Sequence, residues 1–174
     1  GADRLPICVW GGGRDDRFPA WDQRVSVAGP IGRLLILDDN PVEQKLYRII
    51  AERSGLVDEV IPFTCAEQVL DHLCDPDHLP VDCLLLDIHM PRVSGLEFLE
   101  LAAKRLRPDY AQVVAVMLTV PLEPEEQRRA EAYPNVRCFL RKPLQVSDFQ
   151  VLADLLSSSG DAETPQVLRA SDLP

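Results

Sequence analysis

The chain has 174 residues, 46% hydrophobic and 26% charged. That is enough for one compact domain with extensions, and too apolar for a globally disordered chain. Eighteen basic residues stand against 28 acidic ones, a formal net charge of −10, and a field of that sign repels phosphate backbones and argues against nucleic acid as a partner.

No apolar run approaches the roughly 20 residues that span a bilayer. The N-terminus also lacks the basic stretch and apolar run of a secretory signal, so the expectation is a cytoplasmic chain with no membrane partner. Cys8, Cys65, Cys74, Cys83 and Cys138 are odd in number and contain no C-x-x-C pair. They are expected to be free, partly buried thiols in a reducing compartment.

Residues 1–32 are broken by Gly11-Gly12-Gly13, Pro19 and Gly29-Pro30 and read as an N-terminal extension, although Trp10, Phe18 and Trp21 make it more aromatic than a plain linker. A domain over 33–156 follows. Leu34-Leu35-Ile36-Leu37 is a short apolar strand ending in Asp38-Asp39, and Asn40-Pro41 supply an N-cap and a first-turn proline. The helix after them is expected to place Val42, Leu46, Ile49 and Ile50 on its core face. Val57 to Phe63 reads as a second strand. Thr64 and Glu67 have capping-box spacing ahead of a helix carrying Val69, Leu70 and Leu73.

Cys83 to Leu86 forms a third strand ending in Asp87, and Ser94 and Glu97 repeat the capping-box spacing before a helix with Leu96, Leu99 and Ala103. Val113 to Leu118 is a fourth strand, ending at Thr119. A short acidic helix around Glu123 to Ala132 is flanked by Pro121, Pro124 and Tyr133-Pro134-Asn135. Val136 to Leu140 is a fifth strand, running into Lys142-Pro143, and Ser147 opens a last helix with Val151, Leu152, Leu155 and Leu156. Residues 157–174 read as a polar tail.

Apolar strands without alternation mark a parallel sheet covered on both faces. Alternating β-α units then predict a doubly wound (βα)5 three-layer sandwich of flavodoxin-like type, a five-stranded parallel sheet in the order 2-1-3-4-5. In that order the first and third strands are neighbours, and functional residues gather at the carboxyl ends of the strands. Asp38, Asp39, Asp87, Thr119 and Lys142 all fall there. Three converging carboxylates repel one another unless a cation intervenes. Oxygen ligands without His or Cys side chains select a hard ion such as Mg²⁺. A lysine and a hydroxyl opposite that ion can meet the charge of a phosphoryl group.

The segments LLILDDN, LLLDIHMPRVSG, VVAVMLT and FLRKP, in this order and each at a strand end, resemble the receiver domain of two-component response regulators over about residues 33–156. The resemblance implies that Asp87 accepts a phosphoryl group from a histidine kinase or a histidine phosphotransfer protein. It implies that Asp39 and Asp87 bind Mg²⁺ with the His89 backbone carbonyl, and that Asp38 holds the ion through water. Lys142 would pair with the phosphoryl oxygens. Thr119 would be the switch hydroxyl, Phe139 the aromatic that repacks with it, and the Lys142-Pro143 bond cis.

Such a domain is a phosphoacceptor with self-catalysed phosphotransfer and slow autodephosphorylation rather than an enzyme. Its output would pass to a downstream protein partner or a homodimer through the face built from residues 119–156. Val120, the two loop prolines and Tyr133-Pro134-Asn135 depart from the family's pattern. Two other readings stand beside this one. A pseudo-receiver would act without phosphorylation. An aspartate-nucleophile phosphatase would want a second acid two residues after Asp87, where this chain has His89. The side chains of His72 and His78 are expected to be solvated, and Met90 and Met117 to be packing residues.

Overall fold

The computed structural model describes residues 31–158 and the short strand at 168–169. The elements run β1 (Ile31–Leu37), α1 (Pro41–Ser54), β2 (Val57–Phe63), α2 (Ala66–Cys74), β3 (Cys83–Asp87), α3 (Gly95–Arg105), β4 (Val113–Leu118), α4 (Pro124–Glu131), β5 (Val136–Arg141), α5 (Val146–Ser158) and β6 (Leu168–Arg169). The sheet order is β2-β1-β3-β4-β5-β6, with every pairing parallel. The expected 2-1-3-4-5 order is therefore present, and a two-residue sixth strand adds to the β5 edge from within the segment expected to be a polar tail. β1 begins two residues before residue 33. The aromatic positions Trp10, Phe18 and Trp21 lie outside the described residues.

Side chains alternate across a strand, so each central strand feeds both faces of the sheet. Leu35, Leu37, Leu84, Leu86, Val114 and Val116 point to one side, where α2, α3 and α4 supply Val69, Leu70, Phe98, Leu99 and Ala130. Leu34, Ile36, Cys83, Leu85, Val113 and Ala115 point to the other, against Tyr47 and Ala51 of α1 and Phe149, Leu152 and Leu155 of α5. Burying each such aliphatic side chain contributes about 1.5–3 kcal/mol, and this drives the layered arrangement.

Helix starts agree with the sequence in two places and depart from it in others. The Asn40 carboxamide oxygen accepts from the N–H of Val42 at 3.0 Å and of Glu43 at 3.4 Å. Ser94 and Glu97 form a reciprocal capping box. Thr64 and Glu67 do not. The N-cap of α2 is Cys65, with no side-chain cap, and the Thr64 N–H donates to Gln68 Oε1 instead. α5 opens at Val146, where Asp148 Oδ2 accepts from the Gln145 N–H at 2.7 Å. In α3 the buried residues include Leu96, Phe98, Leu99 and Ala102, while Ala103 is exposed.

The larger correction concerns α1. Val42, Leu46 and Ile49 are exposed, at 73%, 43% and 45%, and Ile50 is half-buried. The core face is instead Gln44, Tyr47 and Ala51. The polar contacts described below rotate the helix so that its most apolar stripe faces outward.

Cys83 and Cys138 are buried free thiols, and burial pushes the Cys138 thiol up to about 12. Cys65 is also free, but Cys74 is disulfide-bonded, so the free-thiol expectation fails at that position. Cys8 lies outside the described residues. Met90 and Met117 are buried, as packing residues should be. His72 is not solvated: its ring packs on Phe63 at 5.3 Å between centroids, and its Nε2 is buried with no hydrogen-bond partner. No helix among the described residues is long and apolar enough to cross a membrane.

Candidate functional site

The carboxyl ends of β1 and β3 are adjacent because Leu37 pairs with Leu86 in the β1-β3 register. One residue on, Asp38 and Asp87 follow these partners into the same cleft. Asp38 is fully buried and Asp87 is 4% exposed, while Asp39 is exposed. Carboxylate oxygens of Asp38, Asp39 and Asp87 all lie within 4.8 Å of one another.

Lys142 arrives from the end of β5, where its N–H donates to the Leu118 carbonyl at 2.8 Å. The Lys142-Pro143 bond is cis, and the side chain turns into the cleft. Its Nζ donates to Asp38 Oδ2 at 2.8 Å, Glu43 Oε2 at 2.7 Å and Asp87 Oδ2 at 3.0 Å. An ammonium has three donors, so each is engaged by a carboxylate. Burial disfavours the ammonium, but these three hydrogen bonds outweigh it and hold Lys142 protonated well above the ordinary lysine range. One cation cannot satisfy three partners equally. Burial raises Asp38 above the usual carboxylate range despite its bonds to Lys142 and the Asn40 N–H. Lys142 and then the Tyr47 O–H hold Glu43 below it.

The backbone supports this geometry. The His89 N–H donates to Asp87 Oδ1 at 3.1 Å, which leaves Oδ2 to Lys142. The His89 side chain itself is exposed. Gly95 makes the close approach of α3 to β3 possible: a Cβ there would sit 2.6 Å from the Asp87 carbonyl oxygen and 2.8 Å from Ile88 Cα. Gln44 is buried, and its Nε2 donates to the carbonyls of Asp38 and Phe63, both at 2.6 Å, tying the ends of β1 and β2 to α1.

Four of the anticipated residues, Asp38, Asp39, Asp87 and Lys142, thus converge. Thr119 is exposed immediately past β4, the strand between β3 and β5. Phe139 is 6% exposed, with its ring in the cluster that also holds Val116 and Ala130. Glu43, Gln44 and Tyr47 were not anticipated. The available signal was their i, i+1, i+4 spacing directly after the Asp38-Asp39 pair, which puts Glu43 and Tyr47 on one helical face.

The donor set is oxygen-only, and four carboxylates including Glu43 face one ammonium. A hard divalent cation fits the Asp38, Asp39 and Asp87 cluster on both counts.

A family model for the response regulator receiver domain matches residues 34–154. The chain belongs to that family. It is 30% identical over 134 residues to the sensory/regulatory protein RpfC of Xanthomonas campestris pv. campestris, a match covering 76% of this chain and 18% of RpfC. It is 32% identical over 133 residues to the polar-differentiation response regulator DivK of Brucella ovis, covering 74% of this chain and 97% of DivK. A hybrid signal transduction histidine kinase of Dictyostelium discoideum matches at 32% identity over 111 residues, covering 62% of this chain and 8% of that kinase. The chain therefore spans a small part of RpfC and of the hybrid kinase, and nearly all of DivK.

A two-component response regulator from Cytophaga hutchinsonii superposes with a TM-score of 0.66 at 22% identity, covering 73% of this chain and 97% of that one, and shares the fold. One from Legionella pneumophila does so with a TM-score of 0.60 at 25% identity, covering 73% and 98%. The chain is a receiver domain of two-component signalling.

Proposed function

We propose that Asp87 is the phosphoacceptor, charged by a histidine kinase or a histidine phosphotransfer protein. The observation that carries this reading is the contact between the buried Asp87 carboxylate and the Lys142 ammonium at 3.0 Å, at the carboxyl end of the sheet. A carboxylate oxygen of Asp87 attacks the phosphorus of the donor's phosphohistidine. The P–O bond to Asp87 forms as the P–N bond breaks, and the electron pair leaves with the imidazole, which takes a proton from solvent. Lys142 supplies charge-assisted hydrogen bonds to the phosphoryl oxygens as they arrive. The protein's contribution is position and charge.

Asp39, Asp87 and the His89 carbonyl would hold Mg²⁺, with Asp38 reaching it through water. When bound, the ion neutralises charge on the phosphoryl oxygens. Thr119 would donate its hydroxyl to a further phosphoryl oxygen, and Phe139, behind it on β5, would repack in response. A downstream protein or a second copy would read the change on the face of α4, β5 and α5. The similarity to a hybrid signal transduction histidine kinase supports partnership with histidine kinases. The presence of an acid cluster, a lysine and a strand-end threonine together supports this reading over a pseudo-receiver. His89 in place of a second acid disfavours the phosphatase.

The test is labelling by acetyl phosphate with and without Mg²⁺. The wild type should take up one phosphoryl group per chain and stop, and Asp87→Asn should take up none. Labelling of Asp87→Asn to the wild-type level would overturn the assignment, and continued turnover of excess donor would favour a phosphatase.

A further inference from the structure

We infer that Glu43, held by Tyr47, is a positioning residue that competes with the phosphoryl group for the Lys142 ammonium and so sets how tightly this receiver holds its phosphorylated state. The inference rests on the reading of Asp87 as phosphoacceptor.

All three Lys142 donors are engaged; phosphorylation of Asp87 releases the one that Asp87 holds, and a phosphoryl oxygen gains a second only by displacing Asp38 or Glu43. Asp38 and Asp87 belong to the cluster suited to a cation, which would draw their charge away from Lys142. Glu43 lies outside that cluster, and it makes the shortest of the three contacts, 2.7 Å. Its Oε2 is also fixed from the other side by the Tyr47 O–H at 2.6 Å. Tyr47 is 1% exposed, so it cannot easily swing away. The Tyr47 ring lies 5.9 Å from Nζ, which closes the bracket around the ammonium.

The geometry brings a second effect. Contacts of 2.7 and 3.0 Å that share Nζ put Glu43 Oε2 within 5.7 Å of Asp87 Oδ2. A phosphoryl group on Asp87 therefore meets a fixed negative charge nearby as well as a rival for its lysine. Both effects weaken the adduct relative to a receiver without this glutamate.

Tyr47 acts with the same sign. Its hydroxyl fixes Glu43 Oε2 against the ammonium, and removing it frees the partly exposed Glu43 side chain to turn toward solvent.

The experiment is calorimetric titration of beryllofluoride, a phosphoryl mimic, at saturating Mg²⁺, on the full chain. Glu43→Gln should bind about tenfold tighter than wild type, the scale expected for one partly screened unit charge at this separation. Tyr47→Phe should also bind more tightly than wild type, by less than Glu43→Gln. Unchanged or weaker binding by Glu43→Gln, with wild-type binding intact, overturns the inference and leaves the reading of Asp87 as phosphoacceptor standing. Weaker binding by Tyr47→Phe also overturns it, because simple loosening of α1 would do that. Absence of beryllofluoride binding by the wild type, together with no labelling of Asp87, would overturn the reading of Asp87 as phosphoacceptor itself.

Discussion

Asp39→Asn should stabilise this protein in the absence of divalent cations and destabilise it relative to wild type in their presence. Asp39 lies with its carboxylate within 4.8 Å of those of Asp38 and Asp87. It shares none of the Lys142 hydrogen bonds, which go to Asp38, Glu43 and Asp87. Two like charges at 4.8 Å repel by about 0.9 kcal/mol in water and about 3.5 kcal/mol at an effective dielectric constant near 20. Asp39 is exposed, so the lower figure governs, and the attraction of the more distant Lys142 offsets part of it. Two such pairs, less that offset, leave a net relief of about 1 kcal/mol on removing the charge.

The sign reverses with Mg²⁺. A ligand that binds only the folded state adds about 2.7 kcal/mol when its concentration is 100-fold above Kd, and a variant that has lost a ligand gains less. Urea denaturation of both proteins, in EDTA and in millimolar Mg²⁺, reads the two effects as midpoint shifts of about 0.5–1 M. The order of the two midpoints should cross between the two conditions. Asp39→Asn no more stable than wild type in EDTA would show that the cluster is not repulsive. An equal Mg²⁺ shift in both proteins would show that Asp39 is not a ligand.

Three further outcomes follow from the same geometry. Gln44→Ala should cost about 2–4 kcal/mol in chemical denaturation, because it strips a buried donor from the carbonyls of both Asp38 and Phe63; a loss below about 0.5 kcal/mol would mean that the amide is not holding α1. Gly95→Ala should destabilise the domain by about 1–3 kcal/mol and slow labelling of Asp87, since its Cβ would collide with the backbone of Asp87 and Ile88; wild-type stability and labelling rate together would contradict the packing described. Burial, and then the charges of His78 and Arg33, hold His72 below its ordinary range. The unfolded chain therefore binds a proton at this position near pH 6.5 while the folded chain resists it, so stability is lost as pH falls below about 6.5 and is recovered above it. His72→Phe should flatten that part of the stability profile, and an unchanged slope between pH 5 and 7 would contradict it.

The strands were legible because a parallel sheet buried on both faces demands short, continuous apolar runs, and Leu34 to Leu37, Cys83 to Leu86 and Val113 to Leu118 have no other economical reading. Their order brought Asp38, Asp39 and Asp87 to one end, and Lys142-Pro143 was recognisable from its place after the fifth strand. The capping box at Ser94 and Glu97 was readable for the same local reason: every partner lies within one turn.

What depends on distant partners was not readable. The apolar periodicity of α1 pointed Val42, Leu46 and Ile49 inward, yet the helix buries Gln44 and Tyr47 instead. Two backbone carbonyls at the ends of β1 and β2 claim the Gln44 amide, and the Tyr47–Glu43–Lys142 chain anchors the same face. These contacts join residues 19 and 99 positions apart, beyond the reach of any periodicity. Buried polar groups left unpaired cost more than an exposed Val or Leu. Tertiary hydrogen bonding therefore overrode the hydrophobic pattern, and the override placed Glu43 beside the lysine.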